Sequence, residues 1–204
     1  MKLSEESLIR RVNKINDNNI IICYFSESST KNSDIEMIKT ALIKILKEYN
    51  NVQLLILGEL GIPEDLNNFN EQIIRNVSDW RELPEIISNV DINIAPIEDS
   101  IFNQAKSENK WVEASLVKVP KLASNIWAFK NVNIHNKTKS LCNNINDWYI
   151  SLKTLINNKE LRKNLGENAY NACKLEYNTI YTGKRLANYI NKIANKHIWF
   201  FYLH

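Results

Sequence analysis

The amino-acid sequence predicts an α/β protein with a doubly wound parallel sheet and a helical C-terminal tail. Short apolar runs alternate along the chain with segments whose apolar residues recur at helical spacing, which is typical of parallel sheets. After residue 145 the apolar runs stop and only helical patterns follow. The 204 residues, 44% of them hydrophobic, suffice for one large domain with a buried core.

The predicted strands are the apolar runs rich in β-branched residues. They are 20–25 (IIICYF), 52–58 (VQLLILG), 71–77 (EQIIRNV), 91–97 (DINIAPI) and 119–124 (VPKLAS). Helical spacing of apolar residues predicts the helices. They are 34–48, 80–90, 107–118, 146–157, 159–177 and 179–196. Residues 1–19 read as a polar helix or linker, and residues 125–145 read as irregular.

Local signals support two of these helices. In 80–90, Pro84 falls in the first turn, where the missing N–H costs nothing. In 107–118, Ser107 is a candidate N-terminal cap and Glu108 suits the first turn. The sequence therefore divides into a leading segment (1–19), a sheet domain (20–145) and C-terminal helices packed on that domain (146–204).

Composition and charge exclude several classes of protein. The net charge of +3 is small and both signs are interspersed, so it supports neither nucleic acid nor an anionic membrane as a partner, and we expect no nucleic-acid partner. The three cysteines lack CxxC spacing and the three histidines lack ligand spacing, so we expect neither disulfides nor a metal site. The N-terminus has no apolar signal-peptide region, and no apolar run is long enough for a transmembrane segment.

Polar groups follow three of the predicted strands, in segments 26–32, 58–59 and 97–107. In a parallel sheet these segments meet at the carboxyl edge, where ligands bind. Lys106 and Ser107 at a helix start could hold an anion, and a carboxylate at Glu113 could accept hydrogen bonds from a ribose diol. The same residues also fit an ordinary helix, with Ser107 as a cap and Lys110–Glu113 as a surface pair.

Four stretches, in this order, carry a resemblance to a known family. They are YFSESSTKNSDIEMI, WRELPEIISNVDINIAPIED, FNQAKSENKWVEASLVKVPKLAS and NDWYISLKTLINNKELRKNLGENAY. Together they resemble the C-terminal half of bacterial GT-B glycosyltransferases of the family 1 or 4 type, which act on cell-surface polysaccharides. The resemblance covers about residues 20 to 190 and implies a Rossmann-like domain that holds a nucleoside-diphosphate sugar.

The resemblance also implies roles for individual residues. Glu113 matches the carboxylate that holds the donor ribose, and Lys106 and Ser107 would lie near the donor diphosphate or sugar. The loop that begins at Ser26 matches the phosphate-facing turn, which adds Thr30 and Lys31 to the expected donor-binding residues. No cofactor or metal is expected, because protein cations and helix N-termini would stabilise the leaving diphosphate. No catalytic residue is assigned.

The sequence departs from the family pattern at several positions. Glu27 stands where related sequences have the glycine of S-G, and Lys118 stands where a glycine usually precedes V-P. Ala105 occupies the position of a second carboxylate, eight residues before Glu113. The usual G-x-N-G loop reads Asn136-Lys137-Thr138-Lys139. Only 4 of 204 residues are glycine, although phosphate-cradling loops normally need them.

Three hypotheses remain open at this point. The first is a donor-binding domain, incomplete alone, whose acceptor-binding N-terminal half is lost or supplied by a separate chain; residues 1–19 would then be the end of its linker. The second is a degenerate, inactive module retained for protein interaction. The third, an unrelated flavodoxin-like or receiver-type domain, lacks paired acidic residues after the first strand. We expect a cytoplasmic protein, or one peripheral to the inner membrane face.

Overall fold

The computed structural model describes residues 2–14, 18–25, 32–58, 63–66, 69, 73–75, 79–130 and 138–201. Within these residues one sheet has six strands: β1 (Ile20–Phe25), β2 (Val52–Leu57), β3 (Ile73–Arg75), β4 (Ile92–Ala95), β5 (Lys121–Ser124) and β6 (Ser140–Cys142). The helices are α1 (Lys2–Lys14), α2 (Asn32–Glu36), α3 (Lys39–Glu48), α4 (Leu83–Ser88), α5 (Ile101–Gln104), α6 (Asn109–Leu116), α7 (Trp127–Lys130), α8 (Ile145–Asn157), α9 (Lys159–Glu176) and α10 (Thr179–Phe201). Short 3₁₀ turns cover Glu64–Leu66 and Trp80–Glu82.

All strand pairs are parallel, in the order β3-β2-β1-β4-β5-β6. This confirms the predicted doubly wound sheet. On one side of β1 lie β2 and then β3. On its other side lie β4, β5 and β6, in that order. The strand order therefore reverses between β1 and β4, which is the place where α/β sheets leave a crevice at their carboxyl edge.

The core lies on both faces of the sheet. Alternate residues of β1 point to opposite faces, so that Ile22 and Tyr24 pack with α3 and α8 while Cys23 packs with α4 and α6. Trp148 and Leu152 of α8 belong to the first of these clusters. This two-sided burial explains why the strands are continuous apolar runs rather than alternating patterns.

Several predicted boundaries were wrong in detail. The helix predicted at 34–48 is two helices, α2 and α3, and 80–90 begins as a 3₁₀ turn before α4. The region predicted as irregular contains α7 and β6, which are short and lack a clear period. The helix predicted to begin at Ser107 begins at Asn109, and a separate helix, α5, precedes it in the chain. Ser107 is therefore not its cap, since Glu108 holds that position without a side-chain cap bond.

The first helix packs against the sheet domain. Helix α1 contacts α4, and the Arg11 guanidinium donates to the Val90 carbonyl just before β4. The Lys14 Nζ lies 3.3 Å from an Asp91 carboxylate oxygen, and both side chains are largely buried. Asp91 in turn accepts from the Ile21 N–H at 2.9 Å. Residues 2–14 are thus tied to β1 and β4, while their interpretation as the end of a linker stays a prediction.

The C-terminal helices differ in how much they bury. Helix α8 packs against α3, and α9 packs against α6. In contrast, every side chain from 179 to 194 of α10 is exposed. No helix in the described part of the chain is both long and apolar enough to cross a bilayer.

A single glycine allows α9 to approach the turn after α6. Lys118 has a φ of 58°, in the left-handed region that favours glycine. A Cβ on Gly166 would lie 2.1 Å from the Lys118 carbonyl oxygen and 2.7 Å from its carbonyl carbon. The Lys118 Nζ also binds the Glu167 carboxylate at 2.8 Å. The left-handed turn gives a physical reason for the glycine that related sequences have where this chain has Lys118.

We expect Gly166→Ala to destabilise the fold by about 3 kcal/mol, because the added Cβ meets backbone atoms that cannot rotate away. Gly183→Ala is the matched control, since nothing lies within 4 Å of its Cβ position on exposed α10. There, alanine should leave stability unchanged or raise it by up to about 1 kcal/mol. Urea unfolding measures both variants, and equal stabilities would contradict the close approach.

Candidate functional site

The candidate site is the carboxyl edge of the sheet around the gap between β1 and β4. The loop after β1 is the first of the predicted ligand-binding segments at this edge. Residues 26–31 lie outside the described residues, so the expected roles of Ser26, Thr30 and Lys31 stay predictions. The loop after β4 and the start of α6 are described, and they carry Lys106, Ser107 and Glu113.

Hydrogen bonds from three elements hold the loop after β4. The Ile97 N–H donates to the Ser124 hydroxyl of β5 at 2.9 Å, and the Glu98 N–H donates to the buried Asp34 carboxylate of α2 at 3.0 Å. Asn103 of α5 donates its amide to the Glu98 carbonyl at 2.9 Å. The segment leading into α6 is therefore fixed rather than free. Asp34 and Ser124 lie far from this loop in sequence, so no local pattern predicts their roles.

A buried lysine fixes the start of α6 to the middle of the sheet. The Lys121 side chain of β5 is 2% exposed. Its Nζ donates to the Asn93 side-chain oxygen of β4 at 2.6 Å and also to the Lys110 carbonyl of α6. A charged or polar group in this position requires such partners, because an unpaired one would be costly to bury. One side chain thus joins β4, β5 and the first turn of α6.

The side chain of Lys110 reaches the end of β1. Its Nζ donates to the Phe25 carbonyl at 2.9 Å and lies 5.9 Å from the ring centroids of Tyr24 and Phe25. Phe25 is the last residue before the segment 26–31. The cation therefore lies at the mouth of the β1–β4 crevice. From its spacing in the sequence, Lys110 is expected only as a surface partner of Glu113, and this position next to β1 was not predicted.

The three predicted site residues that the structure describes have different environments. Glu113 is half-buried on α6, three residues after Lys110 and therefore on the same side of the helix. Lys106 is half-buried just before α6, with its Nζ 5.4 Å from the Phe102 ring centroid. Ser107 is exposed. All three lie on the continuous segment 106–113, and Lys110 of the same segment contacts the end of β1.

The other side of α6 is held by α9. The Tyr177 hydroxyl donates to the Glu108 carboxylate at 2.7 Å, and its ring lies 5.6 Å from that of buried Trp111. Burial, together with this hydrogen bond, raises the pKa of Tyr177 above its ordinary value. Glu108 therefore helps to fix the start of α6.

A cavity of about 690 Å³ opens at the carboxyl ends of β4, β5 and β6. This size is within the usual range for small-molecule sites. Its lining residues are Met37, Ile97, Asp99, Ser124, Asn125, Ile126, Lys130, Cys142, Asn143, Asn144, Ile145, Asn146 and Trp148. None of the predicted site residues is among them. No local sequence pattern marks this cavity, apart from the abundance of asparagine after residue 142.

The polar wall of the cavity is a network of amides. The Asn125 amide donates to the Asn143 side-chain oxygen at 2.7 Å, and Asn143 donates its N–H and amide to Asp147. Asn144 caps α8 by accepting from the Asp147 N–H at 2.9 Å. The lining also includes apolar side chains such as Met37 and Ile97. Amides together with apolar side chains suit a ligand that has both hydroxyl groups and an apolar surface.

The described residues include no cluster of three or more His, Cys, Asp or Glu side chains that could hold a metal ion. The three cysteines are free and buried. Burial raises the thiol pKa of Cys23 and of Cys142 to about 12 and that of Cys173 to about 11. All three are therefore thiols rather than reactive thiolates at neutral pH.

Comparison with solved structures identifies the fold. The C-terminal domain of the glycosyl transferase group 1 family protein LpcC from Francisella tularensis is similar over 84% of this chain and 93% of that domain, with 19% identity and a TM-score of 0.62. A glycosyltransferase from Rickettsia africae ESF-5 is similar over 93% of this chain and 52% of its own, with 20% identity and a TM-score of 0.67. The chain has the fold of a GT-B C-terminal domain.

A third structure with the GT-B C-terminal fold is Anabaena Alr3699/HepE in complex with UDP-glucose, at 13% identity and a TM-score of 0.66 over 92% of this chain and 53% of that one. The chain therefore spans almost all of an isolated C-terminal domain and about half of these two longer glycosyltransferases. The sequence matches no family model and no curated protein. At these identities the similarity establishes the fold.

The Lys121–Asn93 contact can be tested with a double-mutant cycle. Lys121→Met should destabilise the domain by about 2 kcal/mol, because the Asn93 oxygen and the Lys110 carbonyl lose their donor. Asn93→Leu alone should also destabilise it. The double variant should cost less than the sum by about 1–3 kcal/mol, since it leaves no unpaired Asn93 oxygen. Additive free energies of unfolding would show that the two side chains do not interact.

Proposed function

We propose that this chain is the donor-binding domain of a GT-B glycosyltransferase, which binds a nucleoside-diphosphate sugar for transfer to a cell-surface glycan. The observation that carries the proposal is the position of Lys110 and Glu113 on one side of α6, with the Lys110 Nζ bound to the carbonyl at the end of β1, next to the β1–β4 crevice. The fold and the UDP or UDP-glucose complexes of structures that share it support the same ligand class.

In this proposal each group has a chemical task. The Glu113 carboxylate accepts hydrogen bonds from the two ribose hydroxyls. Lys106 and Ser107, with Ser26, Thr30 and Lys31 of the loop after β1, bind the diphosphate or the sugar. Lys110 adds a cation that stabilises the negative charge of the leaving diphosphate, so no metal ion is required.

The acceptor and the catalytic residues lie outside this assignment. The chain spans about half of the longer glycosyltransferases with this fold. We therefore propose that a second, N-terminal half closes the cleft, either in the same protein or as a separate chain. Three free thiols fit a reducing compartment, so we place the reaction in the cytoplasm or at the inner membrane face.

A second candidate function is an interaction module that no longer binds a donor. Two departures from the family pattern favour it: Glu27, an anionic residue, stands where related sequences have the glycine of the phosphate-facing turn, and Ala105 replaces a second carboxylate. Ala105 is exposed at the end of α5, directly before Lys106. The two functions differ in one measurable property, which is nucleotide binding.

Calorimetric titration with UDP, GDP and ADP tests the donor site. We expect saturable binding of one nucleotide and a loss of about 1.5–3 kcal/mol of binding free energy in Glu113→Ala, since charged hydrogen bonds to ribose are removed. Glu160→Ala on the exposed surface of α9 is the matched control and should bind as the parent does. Absence of binding at millimolar nucleotide by the folded chain would overturn the proposal in favour of the interaction module.

Lys110→Met tests whether Lys110 binds the diphosphate part of the ligand rather than the nucleoside part. Removing this cation should weaken binding of the nucleoside diphosphate at least tenfold, because a charge-assisted contact is lost. It should leave the affinity for the corresponding nucleoside nearly unchanged, since that ligand carries no phosphate. Circular dichroism checks that the variant is folded without its bond to Phe25. Equal affinities of parent and variant for the diphosphate would remove Lys110 from the site.

A further inference from the structure

The cavity at the carboxyl ends of β4, β5 and β6 lies on the face of the sheet that α8 covers. Cys142 and Trp148 line it and belong to the core cluster of that face. Ser124 lines it as well, and its side chain points away from that of Lys121, because residues three positions apart in a strand lie on opposite faces. Lys121 binds the Lys110 carbonyl of α6. The cavity is therefore on the opposite side of β5 from the helix that carries the predicted ribose carboxylate.

Amide side chains supply both kinds of hydrogen-bonding group to this cavity. Asn125, Asn143 and Asn146 line it. The Asn125 amide donates to the Asn143 oxygen at 2.7 Å, and the Asn143 amide donates to Asp147 at 3.0 Å, so two of the three are held in place. A side-chain amide has two donor hydrogens and an oxygen that accepts two bonds, so these contacts leave donors and acceptors for a ligand. A sugar hydroxyl, which both donates and accepts, matches such a group.

The charges of the lining favour an uncharged ligand. Among the described lining residues the charged ones are Asp99 and Lys130, which are of opposite sign and both exposed. One cation beside one anion gives no net attraction for a phosphate or a carboxylate. The apolar lining residues Ile97 and Ile126 are buried. A pyranose ring, with hydroxyl groups at its edge and C–H groups on its faces, combines the properties that this lining requires.

An exposed tryptophan stands next to the cavity. Trp127 follows the lining residue Ile126 and precedes the lining residue Lys130 by three positions, on the same side of α7. Its side chain is 61% exposed, although tryptophan is on average one of the more buried residue types. A flat indole offers an apolar surface on which the C–H face of a sugar ring can stack.

We propose that this cavity binds a short, uncharged saccharide that carries no nucleotide, such as one unit of a glycan. Asn125, Asn143 and Asn146 exchange hydrogen bonds with its hydroxyl groups, and Trp127 stacks on a ring at the edge of the cavity. The inference does not rest on the proposed donor site, because it uses none of the residues assigned to the nucleotide. It applies equally to an interaction module that has lost its donor.

Titration of the full chain with single sugars, followed by NMR of the side-chain amides, tests the proposal. The probes are glucose, galactose, mannose and N-acetylglucosamine, with the open-chain polyol sorbitol as a control that has hydroxyl groups but no ring. We expect saturable shifts of the Asn125 and Asn146 amide signals with at least one of the four pyranoses and none with sorbitol. Saturating UDP should leave the sugar affinity unchanged, because the cavity and α6 lie on opposite sides of β5.

Single substitutions at exposed positions separate the amide from the aromatic contribution. Asn146→Ala should weaken sugar binding about fivefold, because hydrogen bonds to a hydroxyl are lost. Trp127→Ala should also weaken it about fivefold, through loss of the stacking surface. The matched controls are Asn188→Ala and Tyr189→Ala on exposed α10, which should bind sugar as the parent does. Circular dichroism checks that each variant is folded.

Three results would overturn the proposal. One is the absence of saturable binding of all four pyranoses at high millimolar concentration by the folded chain. Another is an equal loss of affinity in the cavity variants and their α10 controls. The third is displacement of the bound pyranose by UDP-glucose but not by UDP, which would assign the cavity to the sugar of a nucleotide donor.

Discussion

The arrangement of the site depends on one buried amine. The Lys121 Nζ binds the Asn93 oxygen and the Lys110 carbonyl, and so fixes the first turn of α6 against two neighbouring strands. Because α6 is short, fixing its first turn fixes the whole helix. The Lys110 and Glu113 side chains therefore project from a rigid base. A polar contact inside an apolar sheet is costly to assemble, which makes its orientation specific.

The sequence predicted the sheet well because parallel strands buried on both faces are continuous apolar runs. It predicted short elements poorly. β6 has three residues and α7 has four, and neither length can show a period. The split between α5 and α6 was missed as well, since Ser100 caps α5 through the Asn103 N–H and that contact depends on the fold of the loop. Boundaries set by tertiary contacts leave little trace in local patterns.

The candidate site also combines residues that local sequence patterns predict with residues that only long-range contacts reveal. The segment that carries Lys106, Ser107 and Glu113 could be recognised because its residue types stand close together in sequence. Lys110 could not be assigned a position, because its partner Phe25 is 85 residues away. The burial of Lys139, whose Nζ donates to the Phe129 carbonyl and whose pKa burial lowers to about 8, was also unforeseen, since lysine is normally a surface residue. Long-range pairing is the information that a single sequence does not display.

The contact between Gly166 and Lys118 has an evolutionary consequence. Steric conflicts between two side chains can be relieved by a second substitution at the partner position, so such pairs drift together. Here the obstacle to a side chain at 166 is the carbonyl group of Lys118, which every amino acid carries. Changes at position 118 therefore cannot act as suppressors of a replacement at 166. In a chain with only four glycines, this one should stay fixed while its neighbours vary.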